Sequence, residues 1–130
     1  MIQQHAFGRI LILEDDALRV AWFKQKFADY QQDITLDVCQ AIEWLQENDY
    51  TLILLDHDLT EEHYFSYDAE DSSTGYTVAA WLAKNDSFQK DATIIIHSLN
   101  FIGAERMLKT LQDAGRDAQH IPFFTLQAEL

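Results

Sequence analysis

Cysteine is almost absent. Cys39 is the single one in 130 residues, so no internal disulfide can form and nothing argues for an oxidising compartment. Proline occurs once and glycine four times, and no repeat, low-complexity tract or linker interrupts the chain. Basic residues are scarce as well: 9 Lys and Arg stand against 22 Asp and Glu, a formal net charge of −13. A surface that negative repels phosphate backbones and anionic lipids, which excludes non-specific nucleic-acid or membrane binding. A small anionic ligand would need a divalent cation to recruit it. Apolar runs such as Leu52–Leu55 fall far short of the roughly 20 residues of a membrane span. Met1 to Gly8 lacks the basic and apolar pattern of a signal peptide. The expectation is a cytoplasmic, single domain over residues 1–130.

What the chain does contain is a core. Hydrophobic residues make up 48%, enough to exclude a disordered chain, and a domain of this length buries about two-thirds of its unfolded surface. Short apolar runs alternate with amphipathic stretches. Ile10 to Leu13 reads as a strand buried on both faces. Val20, Phe23, Phe27 and Tyr30 follow at helical spacing, predicting a helix from about Ala17 to Tyr30 with Asp15 or Asp16 at its N-terminus. Ile34–Val38 is a weaker strand, and Ala41, Ile42, Trp44 and Leu45 mark a helix ending near Asn48. Thr51–Asp56 is a strong strand, followed by a polar, acidic segment from Thr60 to Thr74. Gly75 leads into a helix carrying Val78, Ala79 and Leu82. Thr93–Ile96 is a further buried strand, and the helix with Ala104, Met107, Leu108 and Leu111 is stopped by Gly115. Ala118 to Phe124 reads as a last strand, with Pro122 tolerated at a sheet edge. Too little chain follows for a full closing helix. This alternation predicts an α/β fold with a parallel sheet covered on both faces.

In such folds, ligands bind beyond the carboxyl ends of the strands. The first strand ends in Glu14-Asp15-Asp16, the third in Asp56-His57-Asp58, and the fourth in His97-Ser98 with Asn100 close behind. Any one of these acids alone reads as a loop or capping residue; three strand ends agreeing points to a site. Crowded carboxylates raise one another's pKa unless a cation neutralises them, and oxygen ligands at this density favour Mg2+ or Mn2+ over zinc.

ILILEDD followed by an amphipathic helix, with YTLILLD about forty residues on, resembles a response-regulator receiver domain. The resemblance runs from Arg9 to Phe123. It implies a flavodoxin-like, doubly wound sheet of five parallel strands in the order 2-1-3-4-5, here with a truncated last helix. It also implies a metal site at Glu14, Asp15 and Asp56, joined by the backbone carbonyl at Asp58, with Asp56 the phosphoryl acceptor and Ser98 a phosphoryl contact. The departures are specific. Receivers carry Lys-Pro at the end of the fifth strand, where this chain has Ile121-Pro122; the last helix is mostly missing and the loop after the third strand is long. DHDL at Asp56–Leu59 and HSLNFIGAERM at His97–Met107 are similar to the receiver subfamily proposed to process cyclic phosphates.

Roles follow from that resemblance and from side-chain chemistry. Asp56 is a candidate metal ligand and nucleophile toward phosphorus, and Glu14, Asp15 and Asp58 complete the metal set. His97 stands where ordinary receivers are apolar, and is either a general acid or base or a buried histidine satisfied by a polar partner. Ser98 and Asn100 are candidate phosphate contacts, with Asn100 equally suited to capping the next helix. Asp16 is read as a cap. His57 faces away from Asp56 and is left out, and His5, His63 and His120 are read as surface residues. Three functions compete: a Mg2+- or Mn2+-dependent phosphoesterase acting on a small cyclic-phosphate ligand, a phosphoacceptor receiver, and a non-catalytic pseudo-receiver that binds a protein partner.

Overall fold

A computed structural model describes residues 8–59 and 74–130. The expectations for Met1–Phe7 and for nearly all of the acidic segment, His63 included, lie outside the described residues. The elements are β1 (Arg9–Leu13), α1 (Ala17–Lys26), β2 (Gln31–Thr35), α2 (Val38–Glu47), β3 (Leu52–Leu55), α3 (Tyr76–Lys84), β4 (Thr93–Ile96), α4 (Phe101–Asp113), β5 (Ala118–His120) and α5 (Phe123–Glu129). All strands are parallel, in the order β2-β1-β3-β4-β5. This is the five-stranded, flavodoxin-like sheet expected.

The period-2 alternation of the central strands divides the core. Leu11, Leu13, Ile53, Leu55, Ile94 and Ile96 pack with α2, α3 and α4 on one face. Ile10, Ile12, Leu52, Leu54 and Ile95 pack with Phe23, Phe27, Phe123 and Leu126 of α1, its C-terminus and α5 on the other. Burial on both faces explains why these strands read as unbroken apolar runs. Trp22, Trp44 and Trp81 are partly buried against these cores, the packing role expected of them.

Three boundaries differ from expectation. Helix α1 stops at Lys26 rather than Tyr30, because Gln31 already donates its N–H to the Gly8 carbonyl (3.0 Å) as β2 joins β1. Strand β2 therefore begins earlier and ends at Thr35; Asp37 is committed to capping α2, accepting from the N–H groups of Cys39 and Gln40. Strand β5 ends at His120 rather than Phe124. Pro122 is the N-cap of a seven-residue closing helix instead of an edge-strand residue, and the Phe123 N–H turns to the His97 carbonyl (3.0 Å).

Strand order reverses between β1 and β3, so the crevice for a ligand opens where their carboxyl ends diverge. Register brings three residues to that line. Leu13 pairs with Leu55 and Leu55 with Ile96, so Glu14, Asp56 and His97 are each the first residue past their strand. Backbone bonds hold the row: Asp56 N–H to the Leu13 carbonyl at 3.1 Å and His97 N–H to the Leu55 carbonyl at 2.9 Å.

Candidate phosphate and metal site

Because Leu13, Leu55 and Ile96 pack under α2, α3 and α4, the next residue on each strand turns to the α1 and α5 face. There Glu14, Asp56 and His97 are buried, at 2%, 3% and 1% exposure. One ligand-capable atom from each lies within 4.8 Å of the others. Glu14 is fully engaged. Its Oε1 accepts from His97 Nε2 (2.9 Å) and Arg19 Nε (2.9 Å), and its Oε2 from Arg19 Nη2 and the N–H groups of Asp15 and Asp16, all at 3.1 Å. Burial pushes the Glu14 carboxyl up, but the hydrogen bonds from His97 and Arg19 outweigh it and bring the pKa down to about 2. An ionised carboxylate only accepts, so His97 donates through Nε2; in the neutral ring Nδ1 is then a bare lone pair. His97 Nδ1 has no hydrogen-bond partner, and the ring packs edge-on against Phe23 at 5.1 Å.

Asp56 is the contrast. Its Oδ1 accepts the His57 N–H at 2.8 Å, whereas its Oδ2 is buried without a hydrogen-bond partner. Burial, and then the charge of Glu14, hold its carboxyl well above the usual range; Arg19, with Nη2 at 3.7 Å from Oδ2, opposes that. Asp15 also has an unpartnered buried oxygen, Oδ1, and burial and Glu14 raise its pKa. Two orphaned carboxylate oxygens at one sheet end are the kind of donor that a hard divalent cation takes. The residues present fit such an ion.

The residues one step further along face the other side. His57 Nδ1 donates to Asp58 Oδ1 (2.7 Å), and both oxygens of Asp58 also accept from Asn100 Nδ2 at 3.2 Å. Asn100 caps α4, its Oδ1 accepting the Gly103 N–H at 3.0 Å, while its own N–H donates to Ser98 Oγ at 3.0 Å. Glycine is required at two close approaches. A Cβ on Gly103 would stand 2.4 Å from the His57 ring, and one on Gly75 would stand 1.8 Å from the Asp56 carbonyl oxygen. Asp16 caps α1, accepting from the N–H groups of Leu18 and Arg19 at 3.0 Å.

Glu14, Asp56 and His97 therefore meet directly, Asp15 flanks them, and Asp58, Asn100 and Ser98 form an adjoining hydrogen-bonded group. Sequence reasoning missed Arg19 and undervalued two histidines. Arg19 was legible as a base one turn into α1, beside three acids. His57 does face away from Asp56, yet it is buried and locks the β3 end to α4. His120, expected at the surface, is half-buried and donates to the Ser98 carbonyl at 2.9 Å. The position that the resemblance gives to a lysine holds Ile121, which packs against the α1 and α5 core.

Fold and crevice together define a receiver-type domain. Solved structures agree on the fold. The response regulator TrrA of Thermotoga maritima, solved in complex with Mg(2+)-BeF, is 18% identical, with 95% of this chain and 96% of that one covered at a TM-score of 0.65. A CheY-like receiver domain from Methanospirillum hungatei is 18% identical over 95% and 90% of the two chains, TM-score 0.62. One from Methylobacillus flagellatus is 15% identical over 95% of each, TM-score 0.61. No curated protein matches the chain. The sequence pattern of the cyclic-phosphate processing receiver domains matches residues 9–113, and the chain belongs to that family.

Proposed function

We propose that this domain handles phosphate at a divalent-metal acidic pocket and hydrolyses a cyclic phosphoester. The observation that carries the reading is the buried Asp56 Oδ2, left without a hydrogen-bond partner in the cluster with Glu14 and His97 at the strand-order reversal, with Asp15 Oδ1 a second orphaned oxygen at the end of β1. Asp15, Asp56 and the backbone carbonyl of Asp58 would hold Mg2+ or Mn2+, with Glu14 behind them. When bound, such an ion polarises a phosphoryl oxygen. In the reaction a water oxygen bonds phosphorus, the ring P–O bond breaks, and the released oxygen takes a proton. His97, fixed by Glu14 through Nε2 and with Nδ1 unpartnered, is the group suited to accept the water's proton and return one to the leaving oxygen. The Ser98 hydroxyl, whose oxygen already accepts from Asn100, retains a proton to donate to a phosphoryl oxygen. Asn100 reaches a phosphate only by releasing Asp58; held as it is, it positions Asp58. Cytoplasmic placement is part of the same reading: the one cysteine is free, and among the described residues no helix is long and apolar enough to cross a membrane.

A second reading rests on the same atom. An unpartnered Asp56 Oδ2 would also suit a phosphoryl acceptor, and one response regulator among the similar structures was solved with Mg(2+)-BeF. Phosphorus NMR with Mg2+, a panel of cyclic phosphates and acetyl phosphate separates the two. Ring opening that is lost in Asp56→Asn and reduced at least a hundredfold in folded His97→Ala supports hydrolysis. An aspartyl phosphate at Asp56 without ring opening supports the acceptor. A wild-type protein that does neither overturns both.

A further inference from the structure

A phosphoryl group seated among Glu14, Asp15, Asp56 and Asp58 meets carboxylates on several sides, and β5 supplies Ile121 where a cation would balance them. A cation reaches the pocket instead from α1, on the same face of the sheet. Arg19, in the first turn of α1, holds Glu14 through two hydrogen bonds and places Nη2 3.7 Å from the unpartnered Asp56 Oδ2. Its side chain is 18% exposed, so solvent reaches it although Asp56 is almost sealed. Its starting point is fixed, because Asp16 caps the helix on the N–H of Arg19 itself. The guanidinium lies 6.0 Å from the centroid of Phe123, and Arg19 lines a cavity of about 270 Å3 with Asp16, Trp22, Phe123, Phe124 and Gln127.

We propose that Arg19 is the anion-binding cation of this site, taking the phosphoryl oxygen of a phosphoester that arrives along the α1 and α5 face. The inference rests on the phosphate-handling reading and deepens it. The planar Nε/Nη2 fork grips Glu14 in a way a lysine cannot match and so holds the positive charge fixed facing Asp56 Oδ2. Arg19 also places positive charge where a divalent cation binds. Its removal therefore weakens anion binding while strengthening cation binding, and Arg19→Lys, which keeps the charge but loses the planar fork, separates contact from charge alone.

The test is calorimetric titration of the purified protein with Mg2+ alone, then with orthophosphate and beryllium fluoride at saturating Mg2+. Wild type is compared with Arg19→Gln, Arg19→Lys and, as a control ion-pair loss at the other end of the sheet, Arg9→Gln. We expect Arg19→Gln to lose at least tenfold in affinity for both anions and to gain several-fold for Mg2+. Arg19→Lys should fall between, keeping the fold if Arg19→Gln loses it, and Arg9→Gln should match wild type. Wild-type anion affinity in folded Arg19→Gln, or in Arg19→Lys where Arg19→Gln does not fold, overturns the role of Arg19. Absence of anion binding by the wild type overturns the phosphate reading itself.

Discussion

At the amino-terminal ends of β3 and β4, Gln89 uses every polar atom of its side chain. Its Nε2 donates to the carbonyls of Leu45 (2.8 Å) and Asn48 (2.6 Å), and its Oε1 accepts the Tyr50 N–H at 2.9 Å. Arg116 beside it donates to the carbonyls of Leu82, Asn85 and Gln89. Gln89 even adopts a left-handed backbone, φ 58°, to make these bonds. At the carboxyl ends of the same sheet, Asp15 Oδ1, Asp56 Oδ2 and His97 Nδ1 are buried with no hydrogen-bond partner. Orphaned buried polar atoms cost stability. The amino-terminal end has its own orphan in Gln32 Oε1 on the edge strand β2, but only the carboxyl end gathers three, at the ends of β1, β3 and β4, which is the pattern the proposed ligand site requires.

The largest effect that sharpens this contrast is at the satisfied end. Gln89→Ala strips three hydrogen bonds from a buried site and should cost about 3 kcal/mol, read as a lower urea midpoint, while Mg2+ affinity stays at the wild-type value. Adding cation should act at the other end alone. Mg2+ at a hundred times its Kd stabilises wild type by about 2.7 kcal/mol, seen as a rise in Tm, and leaves Asp56→Asn unmoved. Without cation the sign reverses: Asp56→Asn relieves a carboxyl held against burial and Glu14, and should raise the urea midpoint at neutral pH. A destabilised Asp56→Asn would break the comparison, since Asp56 would then be as well satisfied as Gln89.

The smallest effect comes from Tyr50, whose hydroxyl donates to Asp33 at 2.7 Å beside the Arg9 ion pair. Tyr50→Phe should cost about 1 kcal/mol. Burial, and then Asp33, raise the Tyr50 pKa above its ordinary 10. A raised folded-state pKa means that this contribution is full below pH 10 and is lost as the pH climbs through the folded value. Alkaline unfolding curves above pH 10 should therefore be shallower for Tyr50→Phe than for wild type.

How much of this the chain declares in advance differs by element. Ile10–Leu13, Leu52–Leu55 and Thr93–Ile96 are legible because strands buried on both faces need unbroken apolar runs, and the acids that follow them mark the sheet end. Strand β2 is harder: it is only partly buried, and Ile34 is its sole aliphatic residue. Apolar spacing through Tyr30 extends α1 too far because Tyr30 packs onto the same core after the helix has ended. Pro122 reads equally as an edge residue or a helix start, and only the turn of Phe123 toward His97 decides. At the site, the carboxylates and His97 are visible as the residues past each strand. The reach of Arg19 to Glu14 and the pairing of His57 with Gly103 are not, because they depend on how far a helical side chain extends and on which helix lands on the β3 end.

The most direct test of the claim that the unsatisfied end is a ligand site is a calorimetric Mg2+ titration of wild type, Asp56→Asn and Gln89→Ala in parallel. We predict saturable binding in wild type and Gln89→Ala, and its loss in folded Asp56→Asn. Equal binding in all three, or none in wild type, would contradict the account.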